Sequence, residues 1–381
     1  MQNIKVCMKV GIITWCCYHN FGTFLQAYAL QSFLRKNGYD VELLNDYQYS
    51  VKQPLSLKIR IAIKEYIKYF FFPKLFKSVK KDRESGNLYE AFKKKYLHVD
   101  YQVASLYDVN QRYDAFVCGS DQIWNPGGFK RNGNEFYFAS FASKPKIAYA
   151  PSIGVKSIPS ECKERFSELI SDFSFISVRE KTAVNAMKEV TEKPIEVVVD
   201  PTLLIDRKDW FKLIDNDLNK QQDKYLFLYL LTNNQGYISA AYNYAQLHNL
   251  KVRVVKACGV NLHIDEAEPA GPLEFLNMIA GASYVMTDSF HAAIFSMIYN
   301  KVFVVFKRFK DNDVASQNSR VENLLGKVGL KERLIDENHL EFIDALTDID
   351  FGQVDHLIKR EIQDSQQYLI NALKIVQNER S

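Results

Sequence analysis

The residues most able to do chemistry sit around His291. Tyr284 to Thr287 form a short apolar, partly β-branched run, followed by Asp288 and Ser289, two short polar side chains suited to capping a helix. Ala292, Ala293, Phe295, Ser296 and Met297 continue as a helix, so the spacing predicts a strand, a cap and a histidine in the first helical turn. Free backbone N–H groups and the positive end of the helix point there, which is where open α/β sheets bind ligands. An imidazole at such a place can exchange a proton with a bound anion or its acceptor. Its bland alternative is a histidine used for packing.

Other polar groups recur at predicted strand ends. Asn20 and Gly22 fall between a strand over Lys9 to Thr14 and a helix from about Phe24 to Asn37. Gly119 follows a strand over Asp114 to Val117 and allows close backbone approach. Ser120, Asp121 and Gln122 then offer three polar groups, with Trp124 as a platform; the alternative is a turn whose aspartate caps a helix. Arg179 ends a strand over Phe175 to Val178. It can bind an anion, or pair with Glu180 or with Asp200, which ends the strand before Pro201 and Thr202. Lys307 and Arg308 end the strand Val302 to Phe306, and Arg320 opens a helix after a polar loop, Asp311 to Ser319. The glycines after the first strand do not make a GxGxxG fingerprint.

Stepping from these residues to what must hold them, the chain alternates strands and helices in two successive arrays. That predicts an α/β protein of two Rossmann-like domains. The expected division is 1–205, 206–345 and a long amphipathic helix within 346–381 that packs back across the junction. A chain of 381 residues is long enough for two cores. With 47% hydrophobic and 25% charged residues, its composition is globular, not disordered or fibrous.

The net charge of +4 is unevenly placed. Ten Lys and Arg face two acids between Lys52 and Arg83, a local +8, so the rest sums to 4 − 8 = −4. Aromatics crowd the same stretch, an insertion over about 52–96. One reading of about 55–83 is a helical hairpin on an anionic membrane surface; the other is a helix pair packed by its aromatic side. No nucleic-acid module accompanies it. The six cysteines include no CxxC pair, which argues against a zinc knuckle or a regular disulfide frame and for a reducing compartment. No apolar run approaches the length of a membrane span. A cytoplasmic protein, peripheral at most at the inner face of a membrane, is expected.

Taken in order, several short motifs resemble the polysaccharide pyruvyl transferase family over roughly Val10 to Leu330. They are Asn20-Phe21-Gly22 with Leu25-Gln26-Ala27, Gly119-Ser120-Asp121-Gln122-Ile123-Trp124, Ser177-Val178-Arg179-Glu180, Val199-Asp200-Pro201-Thr202, Asp288-Ser289-Phe290-His291, and Ser319-Arg320-Val321 before Leu324-Leu325. The resemblance implies a GT-B-like architecture, phosphoenolpyruvate as donor and a sugar or lipid-linked glycan as acceptor. It implies a pyruvate ketal as product, with no metal or organic cofactor. Ser289 stands where many members carry an arginine, two residues before the histidine. Lys307, Arg308, Arg320 and Arg179 are the cations left to meet the donor's charge. On this reading His291 is the general acid and Asp121 orients or deprotonates the acceptor hydroxyl, with Asn20 and Gln122 beside it. The alternatives are a GT-B glycosyltransferase using a nucleotide sugar, and a non-catalytic glycan-assembly protein in which Ser289 marks a lost donor site.

Overall fold

The computed structural model describes residues 7–16, 18–44, 73–102, 105–128, 135–214, 224–257, 260, 262, 264, 266–310 and 316–379, with the backbone alone for 73–79. Most of the basic, aromatic stretch, 45–72, lies outside the described residues, and so does the membrane-hairpin reading that rests on it. Its last part is helical from Pro73, a residue suited to a first helical turn because it needs no N–H partner there.

The first half carries a seven-stranded, wholly parallel sheet. Its elements in chain order are β1 (Lys9–Ile13), α1 (Phe21–Lys36), β2 (Asp40–Leu44), α2 (Pro73–Tyr96), β3 (Val99–Asp100), α3 (Leu106–Arg112), β4 (Ala115–Cys118), β5 (Lys146–Ala148), α4 (Ser160–Ser171), β6 (Phe173–Val178), α5 (Lys181–Met187) and β7 (Ile195–Val197). Strand order is β3-β2-β1-β4-β5-β6-β7. After a short helix α6 (Arg207–Phe211), the second half adds β8 (Tyr225–Leu230), α7 (Gln235–Leu247), β9 (Lys251–Lys256), α8 (Pro272–Gly281), β10 (Tyr284–Thr287), α9 (Phe290–Ile298), β11 (Val302–Phe306), α10 (Ser319–Lys327) and β12 (Leu334–Ile335). These strands form a second parallel sheet, in the order β12-β11-β10-β8-β9. The chain closes with α11 (Phe351–Asn378).

Strands such as β8, Tyr-Leu-Phe-Leu-Tyr-Leu, are buried along their whole length, as expected when helices cover both faces of a parallel sheet. In each sheet the strand order reverses beside the first strand, at β1/β4 and at β8/β10. Such reversals leave a crevice at the carboxyl ends of the strands.

The two halves share one continuous apolar core. Helix α1 lies at its centre, which explains why a helix with a partner on nearly every side is apolar nearly all round. Phe21 stacks on Phe275 at 4.5 Å and meets Tyr229 edge-on, both from the second half. Gly271 is required by closeness: a methyl group there would stand 2.6 Å from Cβ of Leu88 on α2. Helix α11 returns to the first sheet, where its Ser365 accepts a hydrogen bond from Val199 N and its Gln366 donates to Leu204 O. Among the described residues, no helix is long and apolar enough to cross a membrane.

Candidate active site

The two crevices face each other across one pocket of about 110 Å³. Asn20, Thr23, Asp121 and Gln122 line it from the first half; Asp288, Ser289, His291, Arg308, Asn318 and Arg320 line it from the second. A larger groove, about 740 Å³, opens at the opposite ends of α1 and α9. It contains no histidine, and its Arg207 and Asp355 are paired with each other at 2.8 Å. The acid–base groups therefore gather at the smaller pocket.

Local sequence dictates the His291 junction. Ser289 caps α9, its Oγ accepting from Ala292 N, so His291 is the second helical residue. Asp288 has a different task. Its carboxylate accepts from Leu231 N and Thr232 Oγ1, both at 2.6 Å, and so ties the end of β10 to the end of β8. Burial pushes this carboxyl above its ordinary range despite those bonds.

His291 is 7% exposed and is held between two residues of the first half. Its Nε2 lies 3.4 Å from Oδ2 of Asp200. On the other side a methyl group on Gly22 would stand 2.0 Å from Nδ1, so only glycine lets the first turn of α1 come this close. Asn20 caps that turn by accepting from Thr23 N. Two helix N-termini thus converge on one imidazole.

Asp200 also accepts from Arg179 Nη1 at 2.6 Å, and from Thr202 N and Oγ1. Burial opposes its ionisation, but His291 and Arg179 hold the carboxyl well below the usual range. Arg179 keeps its charge in return: burial works against it, and Asp200, Glu180 and Asp121 outweigh that. Its Nε and Nη2 are buried with no hydrogen-bond partner. The guanidinium lies over the Phe290 ring at 4.6 Å, and that of Arg320 approaches the same ring at 6.0 Å. Burial and the nearby Arg179 push Arg320 down to about 10, and its Nε also lacks a partner. Unmet donors near two guanidinium groups favour an anion.

Residues 20–308 match the protein family described as polysaccharide pyruvyl transferase. The chain belongs to this family. No curated protein matches the chain. Among solved structures, UDP-GlcNAc 2-epimerase from Neisseria meningitidis bound to UDP-GlcNAc is similar, with a TM-score of 0.50 at 12% identity over 96% of this chain and 99% of that one. The Methanocaldococcus jannaschii UDP-GlcNAc 2-epimerase gives 0.45 at 13% identity, over 97% and 100%. MurG from Acinetobacter baumannii gives 0.41 at 11%, over 97% and 99%. The Neisseria enzyme shares the GT-B architecture, as the sequence led one to expect; at 12% identity the likeness is of fold alone.

Within this pyruvyl transferase family member, the residues singled out from sequence part into two groups. Asp121, Gln122, Asn20, Ser289, His291, Arg308 and Arg320 meet at the pocket, and Gly22 backs it. Asp121 accepts from Thr23 Oγ1 at 2.7 Å with its backbone in the left-handed region, φ 70°. Arg308 lies at the rim with Nε lacking a partner, its backbone N–H fixed by Asn318 Oδ1.

Three expectations need correction, and a fourth is withdrawn. Trp124 is no platform: it is 0% exposed, stacked on Phe138 at 5.1 Å and bonded to Tyr137 O, because the loop folds into its own domain's core. Ser120 is also sealed away, its Oγ donating to Ala150 O. Gly119 makes its close approach to the carbonyl of Tyr149, not to the pocket. Lys307 does not line the pocket; its carbonyl accepts from Tyr237 OH and its N–H donates to Ile335 O.

The structure adds Thr23 and Asp200 to the site. A carboxylate at a strand end, followed by Pro and Thr, was the available signal for Asp200. Among the described residues, no cluster of three or more His, Cys, Asp or Glu side chains is arranged to hold a metal ion.

Proposed function

We propose that this transferase moves the enolpyruvyl group of phosphoenolpyruvate onto two hydroxyls of a sugar in a surface-polysaccharide or lipid-linked glycan precursor, forming a pyruvate ketal and releasing phosphate. The observation that carries this reading is the pair of buried guanidinium groups, Arg320 at the His291 pocket and Arg179 in the adjoining cleft against Asp200, each with N–H groups that make no hydrogen bond. A small donor that carries both a carboxylate and a phosphate supplies the acceptors they lack.

In this mechanism His291 gives a proton to the donor's methylene carbon. The resulting oxocarbenium-like centre is attacked by one sugar hydroxyl, whose proton passes to a base. The C–O bond to phosphate then breaks, and the second hydroxyl closes the ketal. Its proton leaves with phosphate or returns to the histidine. Asp121, steadied by Thr23, is placed to orient or deprotonate the acceptor hydroxyl. Arg179 and Arg320 hold carboxylate and phosphate, with Arg308 at the rim. In this reading they take over from the arginine that Ser289 replaces.

The test is thermal stabilisation of the full chain by phosphoenolpyruvate against a panel of nucleotide sugars. A ligand at about a hundred times its Kd adds roughly 2.7 kcal/mol. Stabilisation by phosphoenolpyruvate alone is expected. Stabilisation by a nucleotide sugar alone overturns the donor assignment in favour of glycosyl transfer, and none by either points to an assembly role.

A further inference from the structure

Asp200 serves more donors than an ordinary buried ion pair does. One oxygen accepts from Thr202 N at 3.0 Å and Thr202 Oγ1 at 2.7 Å. The other accepts from Arg179 Nη1 at 2.6 Å and faces His291 Nε2 at 3.4 Å. Nε2 makes no hydrogen bond at this distance, but it faces an ionised carboxylate that accepts three bonds through its two oxygens; an amide must turn an NH₂ toward one side. The side chain is 0% exposed, so solvent does not compete for these positions.

The opposite edge of the imidazole is equally constrained. Nδ1 faces the first turn of α1 across Gly22, where the positive helix end favours a lone pair over a second N–H. Both edges of the ring therefore ask for the same tautomer. The bracket comes wholly from the first half of the chain, while the histidine comes from the second. The shared core through Phe21, Phe275 and Tyr229 holds the two halves in that relation.

We propose that Asp200 is a positioning residue that keeps the resting proton of His291 on Nε2, leaving Nδ1, in the gap between the two helix N-termini, as the atom that loses and regains the reactive proton. The importance of this atom for turnover rests on the general-acid reading of His291 given above. The tautomer itself does not. Charged and titratable groups around the ring are Asp200 and, through it, Arg179 on the first half, with Asp121 from the first half and Asp288, Arg308 and Arg320 from the second lining the pocket.

The experiment is ¹⁵N NMR of histidine-labelled, full-length protein without donor, at about pH 9 where imidazoles are neutral. The His291 signals are assigned by their loss in His291→Ala. The expected spectrum is that of the Nε2–H tautomer, and a resting Nδ1–H tautomer in the wild type overturns the proposal without any variant. In Asp200→Asn the amide NH₂ turned toward Nε2 should move the proton to Nδ1 and lower kcat by about 10²–10⁴-fold with the donor KM little changed. Asp200→Glu should restore the Nε2–H signature in part. A purely structural role would lower stability in both variants and leave the tautomer as it was, which also overturns the proposal. If the tautomer behaves as expected while His291→Ala stays active, the general-acid reading fails and the positioning of the ring stands.

Discussion

The loop after β4 and the loop after β10 start alike. Each leaves a buried strand at a sheet's point of reversal and carries short polar side chains beside an aromatic. Their partners differ. Around Gly119, nearly every polar group is used within the first half: Ser120 N donates to Gln26, Ser120 Oγ donates to Ala150 O, its carbonyl accepts from Thr14, and Trp124 donates to Tyr137. Around Asp288, the groups reach across. Phe290 lies under Arg179, and His291 faces Asp200. A polar strand end is thus a scaffold when its own domain satisfies it, and a site when satisfaction has to come from elsewhere. In the first loop Asp121 and Gln122 turn outward to the pocket.

This contrast can be broken by substitution, since damage to the second loop should appear in turnover and damage to the first in stability. The largest effect is expected from His291→Ala, which should abolish measurable turnover while donor-induced stabilisation remains; full activity would refute the contrast outright. Trp124→Ala should cost about 3–5 kcal/mol of unfolding free energy by denaturant titration. The donor KM of whatever remains folded should be unchanged.

Two buried aspartates sharpen the comparison through pH. The Asp200 pKa is depressed, so its contribution is fully present above the ordinary carboxylate value of about 3.9 and is lost as pH falls through the folded value. The Asp288 pKa is raised, so its ionisation costs stability as pH rises from the ordinary value through the folded one. At neutral pH, Asp200→Asn should therefore lower stability by about 3–5 kcal/mol. Asp288→Asn should be far milder and should flatten the loss of stability between acid and neutral pH. Thermal melts across pH 4–8 check both. A smaller effect is expected from Arg320→Gln: donor affinity falls about tenfold, read as KM, with the melting temperature almost unmoved. The smallest is Ser120→Ala, about 1 kcal/mol of stability and no kinetic change.

Much of this architecture is legible in the chain because parallel strands buried on both faces leave continuous apolar runs. Tyr284 to Thr287 and Val302 to Phe306 are such runs. The capped start of α9 is legible too, since Ser289 lies where a first turn needs an acceptor. What escapes is whatever joins the two halves. Nothing local says that Gly22 must be small because an imidazole from the other sheet lies against it. The Arg179–Asp200 pair is among the sequence's alternatives, but nothing near Asp200 says that the same carboxylate faces His291 from the other half. Trp124 misleads for a different reason, within one half: its loop reads as exposed until Phe138 and Phe173 are seen packed around it. Helix α1 begins at Phe21, earlier than its apolar spacing suggests, because Asn20 supplies the cap.

The return of α11 to the first sheet has a consequence for how the protein is made. Synthesis delivers the first sheet early, yet Val199 N waits for Ser365, Leu204 O for Gln366, and Ala148 O for Tyr368. Leu369, Leu373 and Val376 complete the same apolar core. The domain translated first is thus sealed last, and its apolar flank stays uncovered until the C-terminal helix has been made.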